Sequence, residues 1–398
     1  MVSATGAAAR LQRAEWLQSE ETQRLLALLD GAEGRTRAVG GIVRDTILGR
    51  PLHRSDIDLA TELPPEEVVA RAEQAGVASY PTGIEHGTVT LRLGALAAEV
   101  TTLREDVETD GRRAVVRFGT DWTRDAERRD FTLNALYAGI DGTLFDPLSG
   151  LEDCIAGRVR FIGAPERRIA EDRLRVYRFF RFSASHGSEQ FDAAGLAACR
   201  AAAASLGELS AERVGSEFRR MLTLPRIAIT LRAMAEARIL RLEPATLKQL
   251  YAYERQARRP DLAARLAILV ALTGAAHLQR AWRLSNDETA AAEAILAAAG
   301  LLQDYRLNEA AYRYPAALAD AIDVAAVLAD WSEAGKSAVV EELRSLSVPQ
   351  FPVRGNDLLG LGFPPGRALG EELERLEQLW IESGFSLDRE QLLQGVRD

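Results

Sequence analysis

The stretch AVGGIVRDTILGRPLHRSDIDLAT, residues 38–61, decides the reading of this chain. Gly40 and Gly41 open it, Arg44 follows about one helical turn beyond Gly41, and Asp56 and Asp58 close it with Ile57 between them. In a strand, successive side chains point to opposite faces, so Asp56 and Asp58 share one face with Ile57 buried behind. Two carboxylates on one side hold a hard divalent cation, which favours oxygen ligands and keeps substrate phosphates as partners. Alone, D-x-D recurs by chance and is better read as a solvated loop. The glycine pair changes that balance. It lets the backbone approach a phosphate chain closely, the helix start that follows adds free N–H groups and a favourable dipole, and Arg44 can grip the same phosphates bidentately. Taken apart from the aspartates, the glycines read as a capping turn beside a surface arginine; together the two signals make one site.

Outward from this stretch the texture changes twice. Residues 15–30, EWLQSEETQRLLALLD, predict one amphipathic helix closed by Gly31. Between 36 and 146, short β-rich runs (HGTVTLRL, AAEVTTLR, RAVVRFG) alternate with glycines and helical segments, the pattern of a small mixed sheet. Beyond about 165, helical periodicity runs almost throughout. The fold class is therefore α+β, a small mixed-sheet head followed by an extended all-α remainder. We divide it into an N-terminal helix (1–34), a head (35–155), a helical neck (156–222), a helical body (223–330) and a helical tail (331–398).

The bulk numbers bound the function. A chain of 398 residues with 47% hydrophobic residues can bury a real core, in roughly two to four compact units. There is no run of about 18 apolar residues and no secretory leader pattern at the N-terminus, so no membrane is expected. Cys154 and Cys199 are the only cysteines, which excludes a disulfide framework and points to a reducing, cytoplasmic setting. A net charge of −9 speaks against indiscriminate nucleic-acid binding. Yet residues 158–181 carry eight arginines against Glu166, Glu171 and Asp172, a basic stripe on an acidic body that can still meet a polyanion.

GGIVRD…SDIDLAT resembles the signature of the DNA polymerase β nucleotidyltransferase superfamily, in particular the bacterial-type (class II) tRNA CCA-adding enzymes and their poly(A) polymerase relatives. The resemblance implies that Gly40, Gly41 and Arg44 contact a nucleoside triphosphate and that Asp56 and Asp58 are the catalytic ligands of Mg²⁺. Glu99, in AAEVTTLR, is either a third metal-binding carboxylate or an ordinary strand residue. ERRDFTLNAL, residues 127–136, resembles the next family motif, with Arg129 on phosphates and Asp130 and Asn134 on the ribose side; by itself it reads equally as a capped helix start with Asn134 exposed. The segment 104–132 resembles the flexible loop used in switching from C to A addition, with its turn at Asp110-Gly111.

AEDRLRVYRFFRFSASHG, residues 170–187, resembles the family's base-selecting motif. Cytosine and adenine each present an amine donor beside a ring-nitrogen acceptor; guanine and uracil present the reverse order. A carboxylate beside a guanidinium accepts the first pair and rejects the second. Asp172 and Arg175 are three apart, which on one continuous helix makes them neighbours, with Arg178 on the same side and Arg181 about half a turn away. The family also carries an arginine at the position of Arg181. The aromatic residues Tyr177, Phe179, Phe180 and Phe182 are read as packing, LSAERVGSEFRRML (209–222) as a structural neck helix, and His186 as an interface or loop residue. The four histidines include no His-Asp doublet, so no accompanying phosphohydrolase is expected.

The resemblance implies template-independent addition of C, C and A to the 3′ end of tRNA from CTP and ATP, with Mg²⁺ and without a stable protein partner. The alternatives are a poly(A) polymerase, a CC-only or A-only transferase, and an RNA-binding protein with a vestigial head. Intact Asp56, Asp58, Arg44, Asp172 and Arg175 argue against the last.

Overall fold

The computed structural model describes residues 4–51, 56–110 and 113–396. The chain divides into two compact units, one formed by residues 1–221 and 229–241, the other by 222–228 and 242–398.

The first unit is built on a seven-stranded sheet. Its strands are β1 (Thr36–Val39), β2 (Asp56–Thr61), β3 (Ala78–Gly83), β4 (Thr88–Leu93), β5 (Leu96–Thr102), β8 (Tyr137–Ala138) and β9 (Leu144–Phe145), in the order β3-β4-β5-β2-β1-β8-β9. β2 and β5 run parallel and every other pair is antiparallel, a mixed sheet larger than the sequence texture suggested. The additional edge strand β3 contains Pro81, which is tolerated where no ladder N–H is needed. β6 (Arg104–Asp110) and β7 (Arg113–Phe118) form a separate hairpin in which Asp110 faces Arg113; the predicted turn at Asp110-Gly111 runs beyond the described residues. The predicted N-terminal helix is in fact two, Glu15–Gln18 and Glu20–Leu28. Ser19 is extended between them and its side chain accepts the Thr22 N–H, so a capping serine interrupts an otherwise continuous pattern.

Aromatic packing fixes the helix Arg175–Ser185 to the segment that follows the hairpin. Phe131 contacts Phe161, Phe179 and Phe182, and Phe179 stacks on Phe161 with ring centroids 5.5 Å apart. Phe179 and Phe180 are wholly buried, as the packing reading expected.

The second unit is all helical. Leu262–Thr273 is apolar on nearly every face because it is buried on nearly every face, from Ala264 to Val270. A second cluster gathers Trp380, Leu376, Ile381, Leu358, Val353 and Leu392, with Tyr312 and Phe385 edging the indole. Among the described residues no single helix is long and apolar enough to cross a membrane. Arg265 is fully buried in this core. It donates to the carbonyls of Leu222 and Pro225 and to Glu254 at 2.9 Å, while Glu254 accepts the N–H groups of Ile227 and Ala228. Removing one partner of such a pair strands a buried charge. Arg265→Ala is expected to destabilise this unit by about 3–5 kcal/mol, read as a lowered midpoint in denaturant unfolding.

Candidate active site

β2 delivers its aspartates as alternation requires. Asp56 and Asp58 are exposed, while Ile57 and Leu59 are buried in the sheet core. Asp58 lies in register with Glu99 of the parallel strand β5, so Glu99 joins the same face. Crowding by the surrounding protein, then by Glu99 and Asp56, raises the Asp58 carboxyl above its ordinary range, with Arg129 pulling the other way. Among the described residues, no three His, Cys, Asp or Glu side chains gather closely enough to cage a cation unaided. The arrangement is a crowded pair of hard oxygen donors with a third carboxylate beside it, the donor chemistry of an ion that keeps substrate oxygens among its ligands.

The Gly-Gly turn faces these carboxylates. Gly40 has φ +75°, a conformation that side chains rarely adopt, and its N–H donates to Leu136 O at 3.1 Å, which ties the turn to the sheet. The helix Gly41–Leu48 starts there, and Arg44 returns over its first turn to sit within 3.7 Å of where a Cβ on Gly41 would lie.

A cleft of about 500 Å³ opens over this surface. Gly40, Gly41, Arg44, Asp58, Arg129, Asp130, Asn134, Asp172, Arg175, Arg178 and Arg181 all line it. Asp56 and Glu99 stand outside its lining. Phe182 and Arg220 line it too, and the sequence reading assigned neither to a site. Six arginines against three aspartates give the cleft a positive excess that the net charge of the chain conceals.

Its walls are one polar network. Arg44 Nη1 donates to Asn134 Oδ1 at 2.5 Å, Asn134 Nδ2 to Asp130 Oδ1 at 3.0 Å, and Arg178 to Asp130 Oδ2 at 2.6 and 2.8 Å. Arg178 and Arg181 then share Glu217. Burial pushes the Asp130 carboxyl up, but Arg178 and Asn134 outweigh it and hold it below its ordinary range. Asn134 is therefore buried in a short 3₁₀ turn, Thr132–Asn134, not exposed on a helix as the bland reading of its motif had it. Arg129 is anchored by Asp125 at 3.1 Å and by the Tyr137 hydroxyl at 3.1 Å. The Phe182 ring lies beneath the guanidinium groups of Arg44, Arg178 and Arg181, at 5.2, 5.4 and 4.2 Å from its centroid.

The stretch 170–187 differs from its expected geometry. Asp172 does not share a helix with Arg175. The helix Pro165–Glu171 ends just before Asp172, which is extended at φ −148°, and the next helix begins at Arg175. Asp172 Oδ1 accepts the Leu174 N–H at 3.0 Å and Oδ2 accepts from Arg213 at 2.9 Å. Arg175 Nη1 donates to Glu171 at 2.8 Å and to the Arg168 carbonyl at 2.7 Å. Counted from the true helix start, Arg175, Arg178 and Arg181 fall on one face, so Arg181 does not drift away from the cleft. The helix Ala211–Leu222 contributes Arg213, Glu217 and Arg220, spaced i, i+4, i+7; that one-sided spacing is the signal that could have found them.

A mixed sheet with paired carboxylates facing a Gly-Gly helix start, under an arginine-lined cleft, defines the head of a nucleotidyltransferase. Residues 36–160 match the Poly A polymerase head domain, and residues 190–246 match the family described as a probable RNA and SrmB-binding site of polymerase A. The chain is 33% identical over 371 residues to the mitochondrial CCA tRNA nucleotidyltransferase 1 of Danio rerio, covering 90% of this chain and 86% of that one. It is 31% identical to the CCA-adding enzyme of Lacticaseibacillus paracasei, covering 93% and 94% of the two chains. The Bacillus stearothermophilus CCA-adding enzyme, solved in complex with CTP, superposes with a TM-score of 0.74 at 27% identity over 92% of this chain and 94% of that one. The chain belongs to the family of CCA-adding tRNA nucleotidyltransferases.

Proposed function

We infer that this enzyme completes tRNA 3′ ends by adding C, C and A in turn from CTP and ATP, choosing each base with protein side chains. The observation that carries the reading is the single cleft in which Asp58, Arg44 and the Asp172–Arg175 pair stand together. The 3′-hydroxyl of tRNA attacks the α-phosphate, a bond to the growing chain forms, and pyrophosphate leaves.

Asp56 and Asp58, with Glu99 beside them, are the residues that would hold Mg²⁺. When bound, that ion supplies activation of the attacking hydroxyl and neutralisation of the leaving pyrophosphate. The protein's own groups do the rest. Arg44 and Arg129 draw the triphosphate to the Gly40-Gly41 turn, and the Asp130–Asn134 pair supports the sugar side. Asp172 keeps two lone pairs after meeting Leu174 and Arg213, and Arg175 keeps its Nε–H and one Nη2–H among the described residues. An acceptor beside a donor is the complement of the cytosine and adenine edges.

The β6–β7 hairpin supports full CCA addition over a CC-only reading, since it lies within the segment 104–132 that resembles the loop used in switching from C to A addition. The proposed setting is the cytoplasm, with no stable protein partner; Cys154 and Cys199 are free and buried. The test uses tRNA transcripts ending before CCA, after C or after CC, each given CTP, ATP or both. Each is expected to be completed to CCA and no further. Long A tails on unrelated RNA would turn the reading to poly(A) polymerase, and a halt after CC to a CC-only enzyme.

A further inference from the structure

Arg44 is held from behind the cleft. Its guanidinium has five N–H groups. Nε and Nη2 donate to the two carboxylate oxygens of Asp45 at 2.9 and 2.8 Å, and Nη1 donates to Asn134. Among the described residues, one N–H on each terminal nitrogen is left for the cleft. Adjacent residues of a helix do not face each other, so the Asp45 side chain needs support of its own to reach the Arg44 fork. His186 supplies it. Its Nε2 lies 3.0 Å from Asp45 Oδ1, and its Nδ1 lies 2.6 Å from Ser185 Oγ. The ionised Asp45 carboxylate can only accept, so the ring proton sits on Nε2, facing Asp45, and Nδ1 is left to accept from the Ser185 hydroxyl. His186 is buried against the Phe182 ring, and neither it nor Asp45 lines the cleft.

We propose that His186 and Asp45 are positioning residues for the triphosphate: the relay Ser185–His186–Asp45 fixes the plane of the Arg44 guanidinium so that its two remaining N–H groups meet the phosphates. The inference rests on Arg44 as a phosphate contact. The relay is a neutral donor acting on a carboxylate. Asp45, Arg44 and Arg50 are the charged groups around the imidazole. Burial, with the positive charges of Arg44 and Arg50, pushes His186 down to about 4 against the pull of Asp45. Burial pushes Asp45 up, but the hydrogen bonds from His186 and Arg44 outweigh it and keep it ionised. Through the neutral pH range nothing in the relay changes charge.

The experiment compares the full-length wild-type enzyme with His186→Ala, His186→Gln and Arg44→Ala. Measured are KM for CTP, KM for tRNA, the choice of C over U, and competitive inhibition by inorganic tripolyphosphate, which reports the phosphate end alone. His186→Ala is expected to weaken CTP and tripolyphosphate together by about tenfold, the effect of losing one hydrogen bond to a charged group. tRNA affinity and base choice stay within about twofold, a split that general loss of packing does not produce. His186→Gln, whose amide can still donate to Asp45, recovers most of the loss, and the ratio of wild type to His186→Ala is flat from about pH 6 to 9. Unchanged tripolyphosphate inhibition in His186→Ala, or a loss spread equally over tRNA affinity and base choice, overturns the proposal. Unchanged inhibition in Arg44→Ala would overturn instead the phosphate role on which it rests.

Discussion

Asp58→Asn is expected to lower kcat/KM for nucleotide incorporation by about a thousandfold or more, the scale of several kcal/mol of charge stabilisation at the reacting phosphate. tRNA affinity, measured by filter binding, is expected to stay within about threefold, because the nucleic acid is held by positive charge spread over many contacts. The same variant has a second signature that does not depend on turnover. Asp58 is crowded by the protein around it and by Glu99 and Asp56, so its folded carboxyl is raised above its ordinary value. A raised carboxyl favours the fold at low pH and loses that contribution as pH climbs through the folded value. At neutral pH in a chelating buffer the ionised Asp58 therefore works against the fold. Asp58→Asn is expected to melt higher than wild type there, and added Mg²⁺ to raise the melting temperature of wild type alone. An equal Mg²⁺ shift in both proteins would remove Asp58 from the cation site, and near-normal turnover would remove it from the chemistry.

What was legible in the sequence was local. Residues 38–61 could be read because a positive-φ glycine turn and a strand's two-residue alternation are properties of adjacent residues, and the structure shows Gly40 and the Asp56–Ile57–Asp58 alternation as such. The misreading at Asp172 came from the same habit. AEDRLRVYRFF contains no glycine or proline, so its periodicity runs on as one helix. What breaks it is tertiary. The Arg168 guanidinium is drawn to the carbonyls of Arg128 and Arg129, and the chain leaves the helix at Asp172, whose side chain meets Arg213. The Arg44–Asn134–Asp130–Arg178 network was illegible for the same reason, since two of its three links, Arg44 to Asn134 and Asp130 to Arg178, join residues far apart in sequence. Ser19 is the converse case, a local capping signal overlooked inside a convincing helical pattern.

The turn at Asp172 also changes how base selection should be tested. Asp172→Ala is expected to reduce the preference for C and A over G and U by about 10- to 100-fold, the range of discrimination carried by one good bidentate base contact. On a continuous helix the alanine variant would be a clean deletion. Here it is not, because Asp172 Oδ1 holds the Leu174 N–H at 3.0 Å and so shapes the entry to the helix that carries Arg175, Arg178 and Arg181. Losing that contact can shift all three arginines and weaken every nucleotide alike. Asp172→Asn separates the two effects. The asparagine oxygen can keep the turn while its amide replaces one acceptor with donors, so the arginine face stays in place but the carboxylate's match to an exocyclic amine is lost. The expected result is near-normal tRNA affinity in Asp172→Asn with a selectivity loss close to that of Asp172→Ala, read from competing CTP and UTP on one transcript. The arginine side supplies an internal check. Arg175 is pinned by Glu171 and the Arg168 carbonyl, so Glu171→Gln is expected to loosen it and erode the same selectivity by a smaller factor. Should the C-to-U ratio of both Asp172 variants equal that of wild type, the bases are not chosen at this carboxylate, and the turn serves the fold alone.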